Sequence, residues 1–463
     1  MASKPALTLI CLLLLGILTG GCTHFGHYPV NEPLNKYEPG YGYIPKNMGS
    51  PDSSEELFLI LSFSGGGTRA AAFSYGVLEE LRAKEVTLEG KKRSFLNEVD
   101  LISGVSGGSF TAAYYGLFGD RIFEDFESRF LKKNIQGALT ARVFLNPINW
   151  FRLSSPYFDR SDLAVEYYNQ HVFDGKTFGA ILERKGPMIL INATDMSSGT
   201  RMAFHQVFFN AICSDISKFP VARACAASSA VPGLMSPITL RNYAGGCGYL
   251  LPSQLEKLSP TYRQREMIEN LKPVLDSKAK PYFHLIDGGV ADNLGLRAVE
   301  ENVTAVGNLW TTLKLTGKEK VHKVVFIVVN AEKRIDDHWD KIEFVPPFSA
   351  MLSNYSSIAI ARYNRETVAL LQESFGRWTR EIQEGRCPPG QISTEPGSCG
   401  DITFYLTEVR FQDLEDPEER STLNNLPTSF QLKPEEVDKL RDAARRLLRN
   451  SEDFQKLLRD LEK

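Results

Sequence analysis

The 463 residues predict an α/β fold built on a parallel sheet, and three observations carry that reading. An apolar run from Leu57 to Phe63 ends in Ser64-Gly65-Gly66-Gly67-Thr68-Arg69, after which Ala70, Phe73, Val77, Leu78 and Leu81 recur at helical spacing. The same grammar repeats at once: Val99 to Ser103 as a strand, Gly104 to Gly108 as a turn, then Phe110, Ala113, Tyr114 and Leu117 along one face of a helix. Further on, Met188 to Asn192, Tyr282 to Ile286 and Val324 to Asn330 read as buried strands separated by helical or loop sequence. Strand–turn–helix units in tandem are what a parallel sheet requires, because each crossover must carry the chain back to the starting edge.

Taken in order, the chain opens on a segment of a different kind. Lys4 precedes an apolar run from Ala6 to Leu18, then Thr19, Gly20, Gly21 and Cys22, the charged, apolar and small-residue regions of a signal peptide. The run is too short to span a bilayer and has no polar face, which argues against a buried amphipathic helix. Its end resembles the lipobox of bacterial lipoproteins, which implies cleavage before Cys22 and lipidation of that cysteine; Thr19 stands where leucine is usual. The resemblance implies a lipid-anchored protein of the bacterial cell envelope, at the outer membrane facing the periplasm, since Thr23 offers no acidic retention signal. Residues 23–56, rich in Pro, Gly, Asn and Tyr, are expected to form a flexible tether spanning on the order of 30 Å.

The body is expected from 57 to 332, with a mixed polar insertion at about 242–280 and a mostly helical extension over 333–463. Within that extension His338 to Ile382 reads as helix. So does Pro434 to Lys463, where Pro434 suits a first turn and Val437, Leu440, Ala444, Leu447 and Leu448 share a face. Its nearly balanced charges favour docking on the body over lying on anionic lipid. The aromatic stretch from Phe144 to Phe158, with Trp150, Phe151 and Tyr157, is read as core packing, the alternative being an acyl pocket or a flap. Among the cysteines after Cys22, Cys387 and Cys399 flank a Pro/Gly-rich loop and are the first choice for a disulfide. Cys213 with Cys225 is a second choice that leaves Cys247 odd. No spacing suggests zinc or another metal, and a net charge of −3 without long basic runs sets nucleic acid aside as a partner.

Three segments carry chemistry. Gly104-Val105-Ser106-Gly107-Gly108 fits Gly-x-Ser-x-Gly, a sharp strand-to-helix turn that lifts a serine hydroxyl clear of the backbone, with Gly104 and Gly108 as its flanks. Gly65, Gly66 and Gly67, ahead of a helix, can offer free backbone N–H groups to a negative oxygen. Arg69 behind them is placed to steady that loop or to meet a phosphate head group, a solvated surface arginine being the plain alternative. Asp287-Gly288-Gly289 puts a carboxylate at a strand end, although Asp-Gly is also an ordinary turn pair. The glycine loop also satisfies a dinucleotide fingerprint as Gly65-x-Gly67-x-x-Ala70, but Glu85 and Glu89, at the distance where an acid should end the second strand, lie in polar sequence.

Together and in this order the three segments resemble the patatin-like phospholipase family, with Ala193-Thr194-Asp195 and the run from Ala227 to Gly233 looking like further blocks of it. The resemblance covers about Leu59 to Gly295; Ala70 stands where glycine is usual after the arginine, and Gly295 where proline is common. It implies a three-layer α/β fold with a mostly parallel central sheet flanked by helices, here followed by the helical extension. It also implies a Ser–Asp dyad with Ser106 as nucleophile and Asp287 as general base, backbone groups of Gly65, Gly66 and Gly67 as oxyanion hole, no cofactor, and a lipid ester as substrate at a membrane surface. Two rivals stand beside it: a Ser–His–acid triad using His322 or His338, and a non-catalytic envelope module that binds lipid or acts as a scaffold. Substrate, positional preference, activators and oligomeric state are not written in the sequence.

Overall fold

The computed structural model describes residues 31–51, 53–251, 261–333, 341 and 343–462. The expected leader with Cys22, and also His338, lie outside the described residues. Both tandem units form: β1 (Leu57–Phe63) leads through the triple glycine into α1 (Gly67–Ala83), and β2 (Val99–Val105) leads through the serine turn into α2 (Gly107–Phe118). Among the helices that follow are α3 (Ile135–Phe144), α4 (Pro147–Leu153) and α5 (Arg160–His171). Next come β3 (Met188–Asp195), β4 (Arg201–Ala203), α6 (Val221–Ser228), β5 (Ile238–Arg241), β6 (Tyr282–Asp287) and β7 (Lys323–Asn330). The chain ends in α7 (Phe348–Arg386), β8 (Thr403–Arg410), α8 (Pro434–Asn450) and α9 (Glu452–Leu461).

The strands make one sheet of eight in the order β8-β7-β1-β2-β3-β6-β5, with β4 paired to β3. From β8 to β3 every pairing is parallel, whereas β4, β6 and β5 join antiparallel. The central strands are apolar on both faces, as strands covered by helices on either side must be. Alternation along β8 shows the two layers. The Phe404 ring packs with Phe375 of α7 at 4.9 Å, while the next residue, Tyr405, points the other way and donates from its hydroxyl to Asp460 of α9 at 3.1 Å. On that second side α8 lies along α1, burying Val437, Leu440, Ala444 and Leu448, and Arg441 and Arg449 reach Glu79 and Glu80 at 2.7 and 2.6 Å.

Four expectations change. Residues 31–51 are not a free tether: Glu32 and Pro33 pair with Asp215 and Ser214, and the Asn31 side chain brackets Arg241 through its N–H (2.9 Å) and C=O (2.8 Å). Tyr43 is fully buried, its hydroxyl donating to Ile189 O at 2.9 Å and accepting from Ile189 N–H at 2.7 Å. Isolated anchors of this kind leave no periodicity for a sequence to display. The disulfides join Cys213 to Cys247 and Cys387 to Cys399, so among the described residues Cys225 is the unpaired one. It faces the core from α6, while the Cys213 and Cys247 carbonyls instead receive the N–H groups of Leu34 and Tyr37. The sheet does not stop at residue 332, because β8 pairs with β7 along its whole length and gives the helical extension a strand. Finally, the stretch from Phe144 to Tyr157 is not core: six of its large apolar side chains, Phe144, Leu145, Ile148, Trp150, Phe151 and Tyr157, are 48–79% exposed.

Candidate active site

The register brings the serine and the aspartate together. Val105, the last residue of β2, pairs with Asn192 of β3, and Asp287, the last residue of β6, pairs with the next residue, Ala193. Since β2 and β6 run in opposite directions, their ends converge on consecutive residues of one strand. The antiparallel course of β6 is the part that strand-by-strand reading misses; on either side of the excursion Arg241 of β5 and Tyr282 of β6 stand opposite each other as an antiparallel pair. The Ser106 hydroxyl is close enough to the Asp287 carboxylate to help hold it ionised, and Oδ1 of that carboxylate accepts the Gly289 N–H at 2.7 Å. Burial raises the Asp287 carboxyl to about 6 against the pull of those two donors. That value leaves it ionised at neutral pH yet basic enough to take a proton.

Ser106 holds φ +49° and ψ −119°, a conformation that L residues rarely adopt. What keeps it there is a set of hydrogen bonds. Its N–H donates to Ser228 Oγ (2.8 Å), which in turn donates to Asn192 O (2.6 Å), and its C=O accepts from Ser109 Oγ (2.6 Å) and Ser109 N–H (3.1 Å). Asn192 fixes the strand end from its side chain, giving Nδ2 to Ser103 Oγ (2.9 Å) and Gly104 O (3.1 Å) while Oδ1 accepts from Arg201 (2.8 Å). On the acid side, the Gly288 N–H donates to Ser228 O (3.0 Å) and Thr194 Oγ1 donates to Asp287 O (2.8 Å). Ser228 therefore ties the serine turn to the aspartate turn through one residue. The Ala-Thr-Asp and Ala-Ser-Ser blocks were visible in sequence, but their roles as brackets were not.

Opposite the serine, Gly65 is anchored through its N–H to Asn293 O (3.0 Å), and a Cβ on it would come within 3.4 Å of the Ser106 Cβ. Gly66 turns the chain at φ +142°, which only glycine adopts without strain, and Gly67 starts α1. Among the described residues the N–H groups of Gly66 and Gly67 meet no protein acceptor, as expected at a helix start. Gly65 thus supports the loop by its own bond, and Gly66 and Gly67 are the free donors. Gly107, which opens α2, packs so closely on Gly67 that a Cβ there would overlap the Gly67 carbonyl. Two helix N-termini consequently meet beside one hydroxyl, each contributing partial positive charge. Gly104 and Gly108 lie under the turn, against Ser109 and against the carbonyls of Phe63 and Ser64.

Arg69 is neither at the surface nor near a head-group position. It is buried, with Nε donating to Ala331 O (3.1 Å) and Nη1 to Leu426 O (2.6 Å), and burial alone lowers it to about 10. Its role is to tie the glycine loop to the end of β7 and to the C-terminal region. His322 lies at the opposite end of the sheet, at the start of β7, with Nδ1 3.0 Å from Asp401 O, so it cannot serve Ser106. Glu85 and Glu89 belong to a β-hairpin, and Glu89 accepts from Glu55 N–H (2.9 Å) at the far ends of the strands, which removes the dinucleotide reading.

Comparison with known proteins agrees with this architecture. The family model described as Patatin-like phospholipase matches residues 61–299. In structure the chain is similar to human GIVD cytosolic phospholipase A2, with 14% identity, a TM-score of 0.44 and coverage of 88% of this chain and 62% of that one. It is also similar to VipD from Legionella pneumophila (12% identity, TM-score 0.27, 92% and 72% covered) and to the type III effector protein ExoU (13%, 0.22, 88% and 76%). The chain thus spans less than two thirds of the length of the human enzyme. No curated protein matches it significantly in sequence. With the family's segment spanning more than half of the chain and the patatin fold formed around it, this protein belongs to the patatin-like phospholipase family.

Proposed function

We propose that this protein is a serine acyl hydrolase of the phospholipase A or lysophospholipase type that cleaves lipid esters through a Ser106–Asp287 dyad. The reading rests above all on the closeness of Ser106 to a buried Asp287 raised to about 6, facing the free amides of Gly66 and Gly67. Asp287 takes the hydroxyl proton as Ser106 attacks the acyl carbonyl, and the tetrahedral oxyanion forms against the amides at the two helix starts. Collapse expels the alcohol, which receives the proton from Asp287, and leaves an acyl-serine. Water, deprotonated by the same carboxylate, then attacks the acyl carbon, and the fatty acid is released as the Ser106 oxygen departs and takes that proton back from Asp287.

The protein acts at a membrane surface, held there by lipidation of Cys22 after export to the bacterial envelope. Two disulfides support an oxidising compartment. Because residues 31–51 dock on the body, only residues 23–30 lie between Cys22 and the docked segment in the sequence. The test is mass spectrometry of products from a mixed lipid extract, comparing the parent with Ser106→Ala, together with fluorophosphonate labelling. Released fatty acid and a Ser106-dependent adduct are expected; a chain that neither labels nor releases fatty acid is a binding or scaffold module instead. Cys22→Ser should move the protein out of the membrane fraction.

A further inference from the structure

We propose that the apolar crest formed by α3, α4 and the segment up to Tyr157 docks onto the surface of an anionic lipid bilayer. The crest gathers Phe144, Leu145, Ile148, Trp150, Phe151 and Tyr157, all exposed, within one short stretch. Exposed apolar groups scattered singly are ordinary, whereas a contiguous cluster marks a surface made for contact. The Trp150 indole N–H is satisfied internally by Val143 O at 3.0 Å, and Asn149 is buried with its Nδ2 on Arg142 O at 2.9 Å. The polar groups of the hairpin are thus turned inward and its rings outward, as an aromatic residue at a lipid–water boundary requires.

Charge points to the same partner. From Ser128 to Phe158 the sequence holds no Asp or Glu but has Arg129, Lys132, Lys133, Arg142 and Arg152, in a chain whose overall charge is −3. Arg129, Lys132 and Arg152 are engaged by acids from other segments. Lys133 is exposed, and Arg142 lies over the Tyr167 ring at 5.0 Å beside the crest. Apolar side chains on a stretch that carries basic residues and no acid of its own suit an anionic head-group layer over acyl chains.

The crest is also tied at both ends to segments that lead to the candidate site. At its start, the N–H groups of Ile135 and Gln136 both donate to Phe430 O (3.2 Å), and the preceding residue, Ser429, accepts the Thr68 N–H (2.9 Å) in the first turn of α1. At its end, Ser161 Oγ donates to Ser236 O (2.6 Å) and Arg160 reaches Gly233 O (3.5 Å) in the segment that follows Ser228. Exposed Leu234 belongs to that same segment. The described chain begins at this end of the sheet as well, since Asn31 is bound to Arg241 at the end of β5 that passes beyond Asp195.

The inference deepens the proposed lipid-ester hydrolysis but is read independently of it, by vesicle co-sedimentation of the chain from Thr23 onward, which contains every described residue. Phosphatidylcholine vesicles are compared with phosphatidylcholine–phosphatidylglycerol vesicles, for the parent, for Trp150→Ala/Phe151→Ala, for Lys133→Gln/Arg142→Gln, and for Leu315→Ser as an exposed apolar control elsewhere. The aromatic variant should bind both vesicles about tenfold more weakly or worse. The basic variant should lose the preference for anionic vesicles and its sensitivity to salt, and the control should match the parent. Turnover of a soluble short-chain ester should be unchanged in all three variants, so loss of vesicle binding with intact turnover separates docking from chemistry. Vesicle binding by the aromatic variant equal to the parent overturns the proposal. So does a parent that sediments as a dimer which Trp150→Ala/Phe151→Ala dissolves, or a raised KM for the soluble ester with unchanged vesicle affinity, since these assign the crest to a second copy or to an acyl pocket.

Discussion

The turn that carries Ser106 and the crest between Phe144 and Tyr157 are built on opposite rules. Around Ser106 the backbone is strained and the neighbouring groups are buried, and its N–H and C=O are each held by a named partner, so the hydroxyl has one place to be. Along the crest the polar groups are satisfied within the hairpin while large apolar side chains stand in water, each forgoing about 1.5–3 kcal/mol that full burial would give. The protein gives up stability in both regions, as backbone strain in one and as apolar exposure in the other. The first arrangement orders reacting atoms before substrate arrives; the second leaves an energetic gain to be collected on contact with an apolar phase.

The contrast can be broken most sharply at its buried end. Asp287→Asn should lower kcat by about 10²–10⁴-fold, read with any hydrolysable ester. The same variant should fold more firmly at neutral pH. The Asp287 carboxyl is raised to about 6 from an ordinary 3.8, so the stability it lends is complete below 3.8 and is lost as pH rises through about 6. Asparagine removes that loss, worth about 1–3 kcal/mol, which chemical denaturation at pH 8 would measure. A gain in stability with a loss of turnover would show that the carboxylate is there for chemistry and not for folding.

Gly107→Ala should follow in size. Its methyl group must push the glycine loop off the serine turn, with a fall in kcat of about 10²-fold even where circular dichroism reports a folded chain. In the parent, kcat/KM should rise with pH and level off above about 6, falling about tenfold per pH unit well below that value, as the Asp287 carboxylate is protonated. A profile flat from pH 5 to 8 would separate Asp287 from the role of base. Ser228→Ala removes the two hydrogen bonds of its hydroxyl, from Ser106 N–H and to Asn192 O, and leaves the Gly288 bond to its carbonyl in place. A drop of about 5–30-fold in kcat with KM unchanged is expected, since each neutral hydrogen bond is worth about 1 kcal/mol. At the exposed end, Trp150→Ala should leave folding stability within about 0.5 kcal/mol of the parent, as surface positions do.

What could be read early were the units whose signal is local. Leu57 to Phe63 and Val99 to Ser103 are apolar in sequence order, each is followed by a glycine turn, and helical spacing resumes at once, so strand, turn and helix are all present in one window. Ser106 and Asp287 stood out for the same reason. The brackets around them did not, because Ser228, Asn192 and Arg201 are ordinary residues until the fold brings them together. Arg69 was read as steadying the loop, meeting a head group or lying solvated, and only the Ala331 and Leu426 carbonyls, contributed from far along the chain, select the first of these as a buried tie.

By itself, then, the sequence determined the α/β class, the tandem units, the serine turn and the acid-bearing strand end, because side-chain periodicity and glycine placement act over a few residues. Tertiary structure alone decided that β6 runs against β3, that Cys213 takes Cys247, that residues 31–51 lie bound on the body, and that the crest faces outward. Each of those outcomes depends on contacts between distant segments, where pairing is set by register and by which surface another element covers, and neither quantity is carried by any single stretch of chain.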